Sequence, residues 1–397
     1  MAEDIQKMAA SESAGAQAPT WSKLLIGGIA SRSVILAIGA LLLVLYFNVE
    51  SDGGFLRSSN IALLLRQAAV VSVAACGVAL LIIMGEIDLS IGSAAFLTGL
   101  IVAESQVRGL GVVGSVGMGI SAGVVIGLAQ GWVISYLAVP AFVVTLGGML
   151  LWRGLGLTWT NSGSIGPVDD NFVRLTEYSL PLPLVIALFF LAIGLGAYRA
   201  YSAFSVPGRD RGKTMRNAAA ALMGSAIAGF LILYLGSTAT GLPAAVLWIV
   251  AVSGALSFTL ARVKFGRRAF LLGSSYEAAV YAGINAKRTV LTGFIIMGAI
   301  YGVAGVMTTA RVGVSTPDAS FGLELSAIAA AVIGGNSLRG GIGSMLGAVL
   351  GAFLLATIDN GMALLNVSTY AQNVAQALIL IVAVGVDGFL RRRQISR

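Results

Sequence analysis

Stretches of about 18 or more apolar residues recur along almost the whole of this chain, each long enough to cross the hydrocarbon core of a bilayer as a helix. A backbone in lipid must satisfy its own hydrogen bonds, so runs of this kind restrict the fold to packed helices. Twelve stretches fall near residues 28–47, 62–84, 90–104, 111–136, 142–160, 181–200, 217–236, 243–261, 289–310, 323–335, 341–358 and 369–389. The third and tenth are short for a straight span of about 20 residues and are expected to be tilted, broken or partly re-entrant. The expected fold is an all-α integral membrane protein, a polytopic helical bundle of about 12 transmembrane segments.

Charge supports this reading. Only 11% of residues are charged, against roughly 25% in a soluble domain, too few to cover a surface in water. A length of 397 residues would allow two or three soluble domains, but the apolar runs make one bundle the natural unit. The net charge of +8 sits in short loops between spans and forms no stripe with aromatic residues, so it implies orientation in a membrane and no nucleic-acid partner. With the amino terminus inside, the inner segments hold 19 of the 25 basic residues. Among them are Arg199, Arg209, Arg211, Lys213 and Arg216 in one loop, Arg262, Lys264, Arg267, Arg268, Lys287 and Arg288 in another, and Arg391, Arg392 and Arg393 at the end. That bias predicts both termini on the cytoplasmic side. Losing any one span would place the RRR tail opposite the other basic loops.

Several chemistries are excluded. Histidine is absent and Cys76 is the only cysteine, which removes His-dependent triads, imidazole relays, intramolecular disulfides and Cys-based metal clusters. No metal or cofactor site is expected, and a membrane enzyme would lack a plausible His, Cys or paired-carboxylate centre. Residues 1–23 lack the basic start and cleavage site of a secretory signal and read as a short cytoplasmic tail. PGRDRGKT, residues 207–214, ends like a phosphate-binding loop. Its Gly208 and Gly212 are one residue too close, however, and the segment links two spans instead of a strand and a helix. Energy for any transport must therefore come from a partner or an ion gradient.

The strongest local signal is GEIDLSIGS, Gly85 to Ser93, between the second and third spans. Acids beside a membrane are costly unless solvated, paired or capping a helix. Asp88 or Ser90 is expected either to cap the third helix or to line a translocation path. LELSAIAAAVIGG, Leu323 to Gly335, repeats the aliphatic, acid, Leu, Ser order of IDLS and faces the opposite side of the membrane in this threading. Opposed short helices in corresponding positions suggest an inverted repeat. The loop FGRRAFLLGSSYEAAVYAGINAKR, Phe265 to Arg288, is amphipathic with basic ends, as a short interfacial helix or partner-docking element would be. Glycines at four-residue spacing, Gly119, Gly123 and Gly127 and again Gly343, Gly347 and Gly351, predict close helix packing.

GEIDLSIGS, GRRAFLLGSSYEAAVYAGIN, AIAAAVIGGNSLRGGIGSMLGA and DNGM occur in order, and from about Asp52 to Asp387 the chain resembles the permeases of ribose-, xylose- and galactose-type ABC importers. Such permeases usually have about ten spans. The stretch 178–240 reads as an inserted helix pair joined by a basic loop. That insertion, the acid of EIDLS where many relatives have a second Gly, and SDGGFLRSSNIALLLRQ look most like the xylose-type branch. The implied organisation is a first permease half at 24–177, the insertion, a second half at 241–390 with a coupling loop at 262–288, and a basic tail at 391–397.

The resemblance implies a bacterial inner-membrane permease homodimer, a cytoplasmic ABC ATPase, a periplasmic sugar-binding protein and a monosaccharide substrate such as D-xylose. It places coupling to the ATPase in the loop holding Gly266, Arg267, Glu277, Ala278, Ala279 and Gly283. Asp88, Ser90, Asn336, Asp359 and Asn360 are polar positions in or beside its signatures, some of them expected to face the pathway. The alternative is a secondary sugar transporter driven by an ion gradient, for which Asp359 and Glu324 are the later candidates.

Overall fold

A computed structural model describes residues 32–204, 211–238, 240–379, 381 and 385. The expected tails at 1–23 and 391–397, and residues 207–210 of the PGRDRGKT string, lie outside the described residues. Every apolar stretch contains a helix: α1 (Arg32–Glu50), α2 (Ser58–Ile83), α3 (Ile91–Val107), α4 (Gly111–Tyr136), α5 (Ala141–Thr160), then after a short α6 (Asp170–Glu177), α7 (Leu182–Phe204), α8 (Arg211–Gly236) and α9 (Ala245–Arg262). Two surface helices, α10 (Lys264–Ser274) and α11 (Tyr276–Tyr281), precede α12 (Ala286–Val312), α13 (Leu323–Ile333), α14 (Met345–Leu364) and a last helix, α15, described over 369–379. Among the described residues the only extended pairings are two isolated bridges, Ile165 with Ser315 and Ser179 with Pro243.

Among the described residues seven helices, α2, α4, α5, α7, α9, α12 and α14, are long and apolar enough to cross a membrane. The chain is thus a polytopic helical membrane protein. Helices α3 and α13 have only 17 and 11 residues, in keeping with the short stretches read from the sequence.

The core forms around α2 and α12, which are apolar on all sides and buried over most of their lengths. Lipid supplies no hydrophobic drive between helices, so close backbone approach takes its place. Gly123 and Gly127 of α4 lie directly against Gly298 and Gly302 of α12, where an added Cβ would overlap a backbone carbonyl. Gly347 and Gly351 of α14 meet Gly334 and Ala330 in the same way. The four-residue glycine spacing is therefore realised as packing.

Helices α7 and α8 pack chiefly on one another. The end formed by the start of α7 and the close of α8 is held by Leu180, Val185, Leu188, Leu235 and Leu242 against Ile61, Leu65, Val246 and Leu247. Phe190, Leu195, Tyr198, Met223, Ile227 and Phe230 project from the pair and stay exposed, as lipid-facing side chains do.

Candidate functional site

Helix α2 ends at Ile83, and Gly85 takes a left-handed φ of +85° that turns the chain back. Residues 84–90 then run without helix until α3 begins at Ile91. The Ser90 amide and the Ser90 hydroxyl both donate to Asp88 Oδ1 at 2.7 Å. This is the local turn by which aspartate binds the backbone two residues on. Asp88 thus secures the residue at which α3 starts, while the Ser90 side chain makes no cap bond to the helix.

Two distant helices complete the cluster. The Tyr301 hydroxyl, from the middle of α12, donates to Asp88 Oδ2 and lies 3.1 Å from Gln130 Oε1. The Gln130 amide of α4 donates to Ser90 Oγ at 3.0 Å. Asp88, Ser90, Gln130 and Tyr301 are all buried. A carboxyl group removed from water is tolerable only when hydrogen-bonded, and here it is enclosed by its partners. Sequence reading passed over Gln130 and Tyr301. The available signal was a lone amide and a lone phenol inside apolar spans, which must find polar partners in lipid.

The second acid-bearing string meets the first. Glu324, in the first turn of α13, packs on Gly92 in the first turn of α3, where a Cβ would collide with its carboxylate and with the Ser320 carbonyl. Arg153 of α5 donates to the carbonyls of Pro317 and Ala319 at 2.8 and 3.1 Å, and its guanidinium lies 4.4 Å from the centre of the Phe96 ring. Its charge faces Glu324 and Asp318. IDLS and LELS therefore differ in their distant contacts: Asp88 accepts from Tyr301 of α12, whereas Glu324 packs on the first turn of α3.

The remaining polar positions fall in two places. The Asn336 amide donates to Ala331 O at 2.7 Å and its oxygen accepts from Ser344 N at 2.7 Å. One side chain thereby joins the end of α13 to the start of α14. Asn360 accepts from Asn60 at 2.8 Å and donates to Gln67 at 3.4 Å. Asp359 accepts from Gln376 of α15 at 2.7 Å. The five residues thus lie at three separate points of the bundle.

The amphipathic loop forms α10 and α11. Gly266 lies against the backbone of Leu260, and Ala279 is buried, while Arg267, Glu277, Ala278 and Gly283 are exposed. Ser275 caps α11 by accepting from Ala278 N at 3.3 Å, and Gly283 turns the chain with φ +78°. Tyr276, Val280 and Tyr281 stand exposed beside Glu277. At its far end, α10 presses Gly273 onto the Ile83 carbonyl and onto Gly340. That carbonyl also accepts from Gly341 N at 2.9 Å. The surface helices therefore touch both the end of α2 and the turn carrying Asn336. Glu86, in the same α2–α3 connection, has its carboxyl pushed up to about 7 by burial.

Helices α10 and α11 lie at the start of α12, and α6 lies at its other end, where Val168 N bonds to Gly313 O. With 27 residues, α12 spans about 40 Å at 1.5 Å per residue, so the two surface elements occupy opposite faces of the bundle.

Residues 60–384 match the family described as branched-chain amino acid transport system / permease component. The chain is 35% identical over 369 residues to the xylose transport system permease protein XylH of Escherichia coli (strain K12), covering 91% of this chain and 93% of that protein. It is 28% identical to the D-allose transport system permease protein AlsC of the same strain, covering 88% and 90%. The ribose import permease protein RbsC, also of that strain, is 28% identical with 88% and 91% covered. No solved structure gives a significant match.

Proposed function

Because this chain belongs to the permease-component family matched over residues 60–384, we propose that it carries a neutral monosaccharide, D-xylose or a close relative, inward across a bacterial inner membrane. It is the membrane permease subunit of an ABC-type monosaccharide importer and not an enzyme. An ATPase subunit and a periplasmic binding protein complete such a system. We assign it a homodimeric state, with both termini cytoplasmic as the basic loops indicate.

The contact that supports this mechanism best is the seat of α10 on Ile83 and Gly340. An ATPase that grips Glu277, Ala278, Ala279 and Gly283 and moves α11 displaces α10 with it, through the Ser275 junction. Motion at Gly273 reaches α2 just before the Asp88 break and reaches the Asn336 turn at once. Rigid elements meeting at two breaks convert a partner's closure into a change of helix packing. In this reading Asp88, Ser90 and Asn336 fix the breaks, and Asp359 and Asn360 flank the pathway.

The twelve helices are read as a ten-span core with α7 and α8 inserted. The short α3 and α13 are its half-helices, related as an inverted repeat, with the Gly92–Glu324 contact where their first turns meet. Sugar uptake measured with the ion gradient collapsed and ATP maintained tests the function. Uptake should persist; uptake that stops with the gradient alone would assign the chain to secondary transport.

A further inference from the structure

Helices α2, α12 and α13 enclose an open crevice of ≈ 200 Å³ that none of the polar positions above was taken to line. Its walls carry Gln67, Thr308, Arg311, Ser320, Phe321 and Ser326. That set offers an amide, three hydroxyls and a guanidinium beside the aliphatic Val70 and Val71. The space equals about six or seven liquid waters, the scale of a single sugar ring.

The chemistry of these walls selects a neutral polyol. Hydroxyls donate and accept in rotatable directions, as a ring of sugar hydroxyls requires. Ser320 donates to Thr308 at 3.3 Å and Thr308 donates to the Ala304 carbonyl at 2.8 Å, which orders this side of the crevice and leaves the two oxygens as acceptors. Gln67 accepts from Asn360 through its oxygen, and its NH₂ remains as a donor. Phe321 is 79% exposed and supplies an apolar face for the C–H side of a sugar. Arg311 faces Glu177, a carboxylate that it shares with Arg66, which is paired to it at 3.1 Å.

The place matters as much as the lining. Ser320 is both a crevice residue and the residue whose carbonyl lies on Gly92, at the start of α3. A ligand here would rest on the segment that joins the two acid-bearing helix starts. Asn360 lies immediately behind Gln67.

Resting on the permease reading, the geometry points to this crevice as a monosaccharide subsite of the translocation path, with Gln67, Thr308, Ser320 and Ser326 as hydrogen-bonding groups and Phe321 as the stacking face. It must hold sugar weakly, since a tight site in a conduit slows release.

Cys76, the only native thiol, is buried, so Ser326→Cys introduces a single accessible thiol. The assay follows the rate at which a membrane-impermeant thiol reagent labels Ser326→Cys in the importer reconstituted with its ATPase and binding protein. D-xylose, D-ribose, D-allose and L-leucine are added in turn. Labelling should slow about threefold when a bound sugar is present at twice its Kd, following the occupancy factor 1 + [L]/Kd, and L-leucine should have no effect. Unchanged labelling at saturating sugar, in a complex that still imports that sugar on ATP, overturns the subsite and leaves the permease reading standing. Protection by L-leucine and by no sugar overturns the polyol assignment. A parent complex that imports none of the sugars overturns the permease reading itself. Thr308→Cys repeats the measurement from the opposite wall if Ser326→Cys does not assemble.

Discussion

Replacing Tyr301 by Phe removes one oxygen atom from a fully enclosed cluster and leaves the ring in place. Asp88 Oδ1 keeps the Ser90 amide and hydroxyl, both at 2.7 Å, whereas Oδ2 loses the donor that reaches it. Gln130 Oε1, 3.1 Å from the same hydroxyl, loses a second contact. A hydrogen bond contributes about 1 kcal/mol, rising to about 3 at a charged group, and a buried atom left unpaired adds its desolvation cost. A loss of about 2–3 kcal/mol is therefore expected, since Asp88, Ser90, Gln130 and Tyr301 are all buried. Reversible unfolding in mixed detergent–SDS micelles reads that quantity directly. In an Asp88→Asn background the same change should cost less, with a coupling of about 1 kcal/mol or more. A Tyr301→Phe protein within about 0.5 kcal/mol of the parent, or purely additive effects in the two backgrounds, would refute the view that the phenol secures the break.

Gly123→Val should destabilise the bundle by about 1–3 kcal/mol or more, because the branched side chain meets the Gly298 carbonyl and the backbone of Gly302. Gly117→Ala on the same helix, with no atom within 4 Å of the new methyl, should be neutral or gain up to about 1 kcal/mol from helix propensity. Paired thermal unfolding in detergent compares them, and equal losses would remove the close-packing argument. Glu86, pushed up to about 7 from 4.5, holds a proton in the folded state that the unfolded chain releases. Its contribution is present below about 4.5 and lost as pH rises through about 7. Glu86→Gln should therefore flatten the melting temperature between pH 5 and about pH 8, while the parent declines; parallel curves would disprove the linkage. Glu277→Arg combined with Gly283→Ala should leave insertion intact and separate ATP hydrolysis from sugar uptake, the Ala Cβ straining a backbone at φ +78°. Normal coupled uptake would dismiss α11 as the coupling element.

The helices were legible because apolar length is a local property: α4 occupies Gly111–Tyr136, where the uninterrupted run lies. The glycine spacing also announced its use, since residues four apart share a helix face. What stayed hidden was everything that depends on partners far along the chain. Gln130 and Tyr301 lie 40 and 211 residues from Ser90, and nothing near either one shows that they converge on a turn. Asn336, beside a recognisable signature, carried no sign that both ends of its amide would bind helix termini.

The amino acids alone determined that this chain lives in lipid as helices, because backbone amides in hydrocarbon have no other stable arrangement. They also determined that it has no histidine chemistry and no intramolecular disulfide, with Cys76 its single cysteine. Only tertiary structure decided that IDLS and LELS meet through Gly92 and Glu324, and that α10 rests on the end of α2. Those outcomes follow from which glycine-lined faces fit one another at backbone distance. Shape complementarity between separate helices is a property of the packed assembly and of no single segment.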